Sequence, residues 1–276
     1  MPELPEVETV RLGLETAMAG RILAKVTQRR LDLRRAFPID FVARLTGRPI
    51  LLLRRRAKYL TLLLDDDWVL LIHLGMSGRM LVGRQDATLP DRHDHVQFDL
   101  DDGMRVVFHD PRRFGLMDLT PAALLGSHPL LCHLGPEPLA PDFTASVLAR
   151  RIGAKNSPIK LVLLDQTVVA GIGNIYASES LFRAGIAPDR PAASLRPREI
   201  GRLVPAIRAV LQEAIAAGGS SLKDHRRPDG QLGYFQHSFL VYDREGQPCP
   251  DCRCGSGIRR VTQGGRSTFY CAMKQR

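Results

Sequence analysis

The nine residues that open the chain, Met-Pro-Glu-Leu-Pro-Glu-Val-Glu-Thr, are the richest in chemistry. Removal of Met1, which the small Pro2 permits, leaves a secondary α-amine. An α-amine titrates near neutrality, so roughly 10–20% of it is unprotonated at pH 7, against well under about 0.1% of a lysine. An unprotonated amine attacks carbon electrophiles, and a secondary one goes on to an iminium with a sugar aldehyde carbon. Glu3 and Glu6 stand beside it, as acid/base work requires. The same residues also make an ordinary helix start, with proline in the first turn and acids complementing the helix dipole. Residue types alone leave both readings open.

A second cluster lies at the other end of the chain. Cys132 stands alone, while Cys249, Cys252, Cys254 and Cys271 crowd together. The opening residues are acidic rather than basic and no long apolar run follows, so neither a secretory signal nor a membrane span is expected and the cytosol is the default compartment. In that setting clustered cysteines read as a metal knuckle sooner than as a disulfide framework.

The charge balance points to a polyanion. Lys+Arg number 39 against 29 Asp+Glu, a net of +10, with a pI near 9.8. The arginines come in clusters: Arg29-Arg30, Arg34-Arg35, Arg54-Arg55-Arg56, Arg112-Arg113, Arg150-Arg151, Arg226-Arg227 and Arg259-Arg260. Such an excess favours nucleic acid through counterion release. Hydrophobic residues at 44% and charged residues at 25% are those of an ordinary globular chain.

The elements that must position these residues fall into two textures. Leu4, Val7, Val10, Leu14 and Met18 have the spacing of one helix face, which predicts a helix with Pro2 and Pro5 in its first turn and Gly20 as C-cap. Strand signals follow at 22–26, 50–53, 59–64, 69–74, 95–100, 105–108 and 115–119, with close turns between them, as in an antiparallel sandwich or barrel. Beyond the Gly135-Pro136-Glu137-Pro138 stretch the pattern turns helical, over 144–151, 159–166, 172–184 and 196–217. Gly218 to Ser221 and Asp224 to Gln236 read as a loop, with short strands expected at 239–242 and 268–270.

Five motifs, in order along the whole chain, resemble those of the bacterial formamidopyrimidine-DNA glycosylases. They are the opening residues; Arg56-Ala57-Lys58-Tyr59-Leu60; the loop pair His73-Leu74-Gly75-Met76-Ser77-Gly78 and Asp110-Pro111-Arg112-Arg113-Phe114-Gly115; Gly171 to Glu179; and Gly264 to Cys271. The resemblance implies an α+β chain in three parts. These are a helix and antiparallel β-sandwich (1–134), a helix-two-turns-helix domain with a lesion loop (135–236) and a zinc-finger-type hairpin (237–276). DNA would lie in the groove between the two main domains.

It also implies roles. Pro2 would be the nucleophile that displaces a damaged base and forms a Schiff base, Glu3 the acid/base at the opening sugar, and Lys58 an aid to base loss and β-elimination. Arg266 would bind a phosphate and serve δ-elimination. Met76, Arg112 and Phe114 would fill the hole left by a flipped nucleotide. His93, Arg112, Lys155 and Asn174 would clamp the DNA backbone. Of His93 and His95, one should face inward if they share a strand.

The implied substrates are 8-oxoguanine and formamidopyrimidines in duplex DNA, processed by a monomer associated with the nucleoid when bound to DNA. A sister family acting on oxidised pyrimidines usually has Gly where Leu4 stands here, and a non-catalytic DNA-binding relative would not need Pro2, Glu3 and Lys58. The metal site departs from the pattern: Lys274 stands where a fourth cysteine belongs, and a protonated lysine cannot ligate zinc. One structural zinc on Cys249, Cys252 and Cys271, with Cys254 as the fourth ligand, is the expectation. A three-cysteine site with an outside ligand, or no zinc at all, are the alternatives.

Overall fold

In a computed structural model, residues 1–86, 91–220, 228, 233–252 and 255–276 are described. The predicted loop 224–236 lies largely outside them, as does Cys254. The chain divides into two compact units, 1–132 with 217–234, and 133–216 with 235–276.

The first unit begins with helix α1 (Leu4–Met18), whose buried face is Leu4, Val7, Val10, Leu14 and Met18, the stripe that periodicity predicts. The chain leaves it through Ala19 as C-cap, and Gly20 takes the positive φ of 74° that a side chain would resist. Two four-stranded antiparallel sheets follow. The first has the order β1 (Leu23–Gln28), β6 (Asp94–Leu100), β7 (Met104–His109), β5 (Arg79–Arg84). The second has the order β2 (Ile50–Arg56), β3 (Tyr59–Leu64), β4 (Trp68–His73), β8 (Leu116–Pro121). The short helix α2 (Phe41–Leu45) joins β1 to β2. One apolar core serves all of it: Val10 and Leu14 of α1, Leu60 and Leu62 of β3, Ile72 of β4 and Phe98 and Phe108 of the other sheet belong to a single cluster. Strand β5 and helix α2 are additions to the elements predicted above.

Topology decides what lies at one end of this sandwich. β4 and β8 are paired, as are β5 and β7. The connection β4→β5 (74–78) and the connection β7→β8 (110–115) therefore link the same two strand pairs, β4/β8 of one sheet and β7/β5 of the other, and run side by side.

The second unit holds α3 (Ala145–Ile152), capped by Thr144, then α4 (Ile159–Leu164), α5 (Asn174–Ala184) and α6 (Pro197–Ala216). The hairpin β9 (Arg259–Gln263) with β10 (Arg266–Tyr270) follows in sequence. Residues 239–242, expected as a strand, form none. The Glu179 carboxylate of α5 takes the amides of Leu240, Val241 and Tyr242 at 2.8–3.2 Å, leaving none of them for a ladder.

Candidate active site

Pro2 is buried and precedes the helix; Glu3 is the N-cap and Leu4 the first helical residue. The expectation that Pro2 belongs to the first turn is corrected on this point. An ordinary helix start explains Pro5 and Glu6, which lie within α1, but it leaves Pro2 unexplained. Glu6 closes the turn by accepting the Glu3 amide at 2.9 Å. Its other oxygen accepts the Ser220 amide (2.9 Å) and hydroxyl (3.1 Å). Glu3 and Glu6, 4% and 2% exposed, thus put two buried carboxyls at a helix N-terminus beside Pro2. Acidic residues at this end of a helix complement its dipole.

Lys58 lies in the two-residue turn of the β2–β3 hairpin, after the last pair Arg56–Tyr59. It is buried, and its neighbour Ala57 adopts a φ of +53°, uncommon for a residue with a Cβ. Strain of this kind is retained where the surroundings fix the backbone. Here they do: Arg55 donates to Ala57 O (3.0 Å) and pairs with Glu8 of α1 (2.8 Å), while Arg11 of α1 bridges Glu8 and Glu15. The helix that begins after Pro2 and the turn that carries Lys58 are therefore braced together. His73, across the ladder from Tyr59, is held down to a pKa of about 4 by burial first, then by the charges of Lys58 and Arg34. It is a neutral imidazole at neutral pH, and its Nδ1 accepts the Gly75 amide at 3.0 Å.

The two side-by-side loops carry the predicted probes. Met76 and Phe114 are 37% and 42% exposed, large apolar groups held in solvent. The Arg112 guanidinium stacks 4.9 Å from the Phe114 ring centre. Beneath them is a residue to which the motifs gave no role. Asp110, fully buried, accepts from the Ser77 hydroxyl (2.5 Å) and the Gly115 amide (2.8 Å). His93, half-buried, precedes β6 rather than belonging to it, and its carbonyl accepts the Asp110 amide (3.0 Å). His95, within β6, faces inward and donates Nε2 to the Asp110 carbonyl at 2.8 Å.

In the second unit Asn174 opens α5 after Gly173, with its Nδ2 donating to Ser267 O (2.9 Å) and Tyr242 Oη (3.2 Å). Its Oδ1 is buried with no hydrogen-bond partner among the described residues. Ser267 O also takes the ammonium of the fully buried Lys160 (2.9 Å), which reaches Thr268 Oγ1 (2.6 Å), and that hydroxyl in turn donates to Gln263 (2.8 Å). The neighbour of Arg266 is thereby pinned, and exposed Arg266 starts β10 after the Gly264-Gly265 turn. Sequence reasoning missed Lys160 and Glu179; burial against distant partners is what marks both. Lys155 is exposed in the α3–α4 connection.

The thiols of Cys249, Cys252 and Cys271 lie within 4.8 Å of one another, close enough to share one ion. All-sulfur donors suit zinc. Lys274 is paired with Asp251, and its ammonium lies 4.1 Å over the Phe182 ring, with burial lowering its pKa. It is engaged as a cation, which a metal ligand cannot be.

Residues 1–117 match the formamidopyrimidine-DNA glycosylase N-terminal domain, and residues 134–226 match the formamidopyrimidine-DNA glycosylase H2TH domain. A formamidopyrimidine-DNA glycosylase of Rhodospirillum rubrum is 59% identical over 281 residues, covering all of both chains. The fold is similar to MutM (FPG) of Thermus thermophilus, at 41% identity and a TM-score of 0.88, covering 99% of this chain and 98% of that one. It is also similar to a Lactococcus lactis FPG mutant in complex with Fapy-dG-containing DNA, at 33% identity and a TM-score of 0.91 over all of both chains. Full-length coverage at such identity makes the chain a member of the formamidopyrimidine-DNA glycosylase family.

Proposed function

We propose that the chain is a base-excision repair enzyme that removes oxidised purines, 8-oxoguanine and formamidopyrimidines, from duplex DNA and then cleaves the abasic strand. The observation that carries this is the buried Pro2, set outside α1 and beside two buried carboxyls, in a member of this family. After loss of Met1 the Pro2 nitrogen attacks the sugar C1′, the base departs, and an iminium forms. Glu3 exchanges protons with the opening sugar, and Lys58 places its charge near a phosphate while aiding base loss and β-elimination. Arg266 offers a fixed fork of donors to a phosphate and serves δ-elimination.

Met76, Arg112 and Phe114 replace the extruded nucleotide in the stack, and solvent exposure of both apolar members without DNA supports this role. His93, Lys155 and Asn174 grip the backbone. At Asn174, the first residue of α5, the positive end of the helix favours an anion such as a phosphate. Cys249, Cys252 and Cys271 hold one zinc, with Cys254 as fourth ligand. When bound it supplies a rigid staple for the hairpin and no chemical step.

Duplexes carrying 8-oxoguanine, a formamidopyrimidine or an oxidised pyrimidine test the reading. The expected result is faster excision of the two purine lesions, with ends left by β,δ-elimination. Preference for the pyrimidine lesion would assign the sister activity, and tight binding without cleavage would indicate a binding protein.

A further inference from the structure

The two probe loops, whose Ser77 and Asp110 are 33 residues apart in sequence, meet because both link the same two pairs of neighbouring strands. What joins them is specific. The Ser77 hydroxyl donates to Asp110 Oδ1 at 2.5 Å and accepts the Arg112 amide at 3.1 Å. The second Asp110 oxygen takes the Gly115 amide at 2.8 Å, and the Asp110 carbonyl accepts the Arg113 amide and His95 Nε2. Ser77 is therefore bonded both to Asp110 and to Arg112, which is one of the probes, while its own chain neighbour Met76 is another.

Sterics close the same joint. Gly75 holds φ +65°, and a Cβ there would collide with the Phe114 carbonyl group and the Gly115 amide. Arg113 takes φ +57°, turning the chain so that Arg112 and Phe114 stack on each other.

We propose that Ser77, oriented by Asp110, is a positioning residue that locks the Met76 loop to the Arg112–Phe114 loop. The three probes then enter DNA as one preassembled wedge. Both side chains of the relay are buried, Ser77 at 4% and Asp110 at 0% exposure, so water cannot replace a lost partner cheaply. Buried and bonded to Asp110 and the Arg112 amide, Ser77 acts through Arg112 and its chain neighbour Met76. Preorganisation of this kind lowers the cost of ordering side chains on binding. It matters for finding and opening a paired lesion and not for the chemistry at C1′. This role for Ser77 rests on the function proposed above.

The separation of those two demands supplies the test. Wild-type protein, Ser77→Ala and Ser77→Cys are compared on duplex 8-oxoguanine and on a single-stranded oligonucleotide with a preformed abasic site, which needs no wedge. Ser77→Ala should lower kcat/KM on the duplex lesion about ten-fold, the equivalent of one charge-assisted hydrogen bond. Its strand cleavage on the single-stranded abasic site should stay within about two-fold of wild type, which also shows that the protein is folded. Ser77→Cys, close in shape but a weak donor, should resemble Ala. Equal loss on both substrates, no loss on either, or full recovery by Cys overturns the lock. Wild-type protein inactive on both substrates would instead overturn the function itself.

Discussion

Acidification should destabilise this protein through one histidine, and the size of the effect follows from its surroundings. His73 ends β4 at 9% exposure, its ring 4.9 Å from that of Tyr59 and its Nδ1 occupied by the Gly75 amide. Burial, with the Lys58 and Arg34 charges, lowers its pKa from 6.5 to about 4. The unfolded chain takes up the proton as pH falls through its ordinary value, while the native chain resists until about 4. Stability is therefore complete above the unfolded pKa, falls between the two, and levels below the native one. That gap is worth about 3 kcal/mol in all, of which about 2 kcal/mol is gone by about pH 5. Urea unfolding of wild type and His73→Gln at about pH 7.5 and about pH 5 isolates the effect, since glutamine keeps an acceptor for Gly75 and does not titrate. The variant should lose about 2 kcal/mol less than wild type on acidification. Equal losses would mean that the imidazole titrates normally and that its burial beside Lys58 is wrong.

Phe114→Ala should weaken recognition of a duplex lesion by about 1–3 kcal/mol, as loss of one stacked aromatic does. At 42% exposure the ring contributes little to folding, so a fall in Tm typical of a core truncation would place it inside instead. Arg208 of α6 donates to the carbonyls of Pro138, Ala140 and Phe143, tying down the proline-rich stretch. Arg208→Ala should cost about 2 kcal/mol on chemical denaturation, because those carbonyls lose a charged donor; an unchanged midpoint would show that they are satisfied otherwise. Metal analysis should find one zinc per chain, lost in Cys252→Ser; zinc retained in Cys254→Ser would remove Cys254 from the ligand set, and metal-free wild type would end the zinc assignment.

The sequence was most legible where burial is periodic. α1 and β3 lie where their apolar spacing puts them, because each buries one face in a single core. β5 was missed because it is an edge strand, flanked by Arg79 and Arg84 and mostly half-exposed, so alternation is weak. β9 escaped for the same reason: four of its five residues are exposed. α2, at five residues, is too short to show a period. In the site, residue types such as Pro2 and Lys58 could be read directly. What could not be read are bonds between distant segments. Ser77 with Asp110, Lys160 with Ser267 and Glu179 with the 240–242 amides are all polar pairs set by topology. Hydrophobic pattern carries no trace of them.

If the α-amine of Pro2 is the nucleophile, covalent trapping reveals it most directly. Processed protein is incubated with duplex 8-oxoguanine and borohydride, and the crosslinked peptide is located by mass spectrometry. The expected result is a stable adduct on the nitrogen of Pro2, and none from protein that retains an uncleaved N-terminal extension. An adduct on Lys58 or any other lysine, or robust trapping by the extended protein, would contradict the assignment.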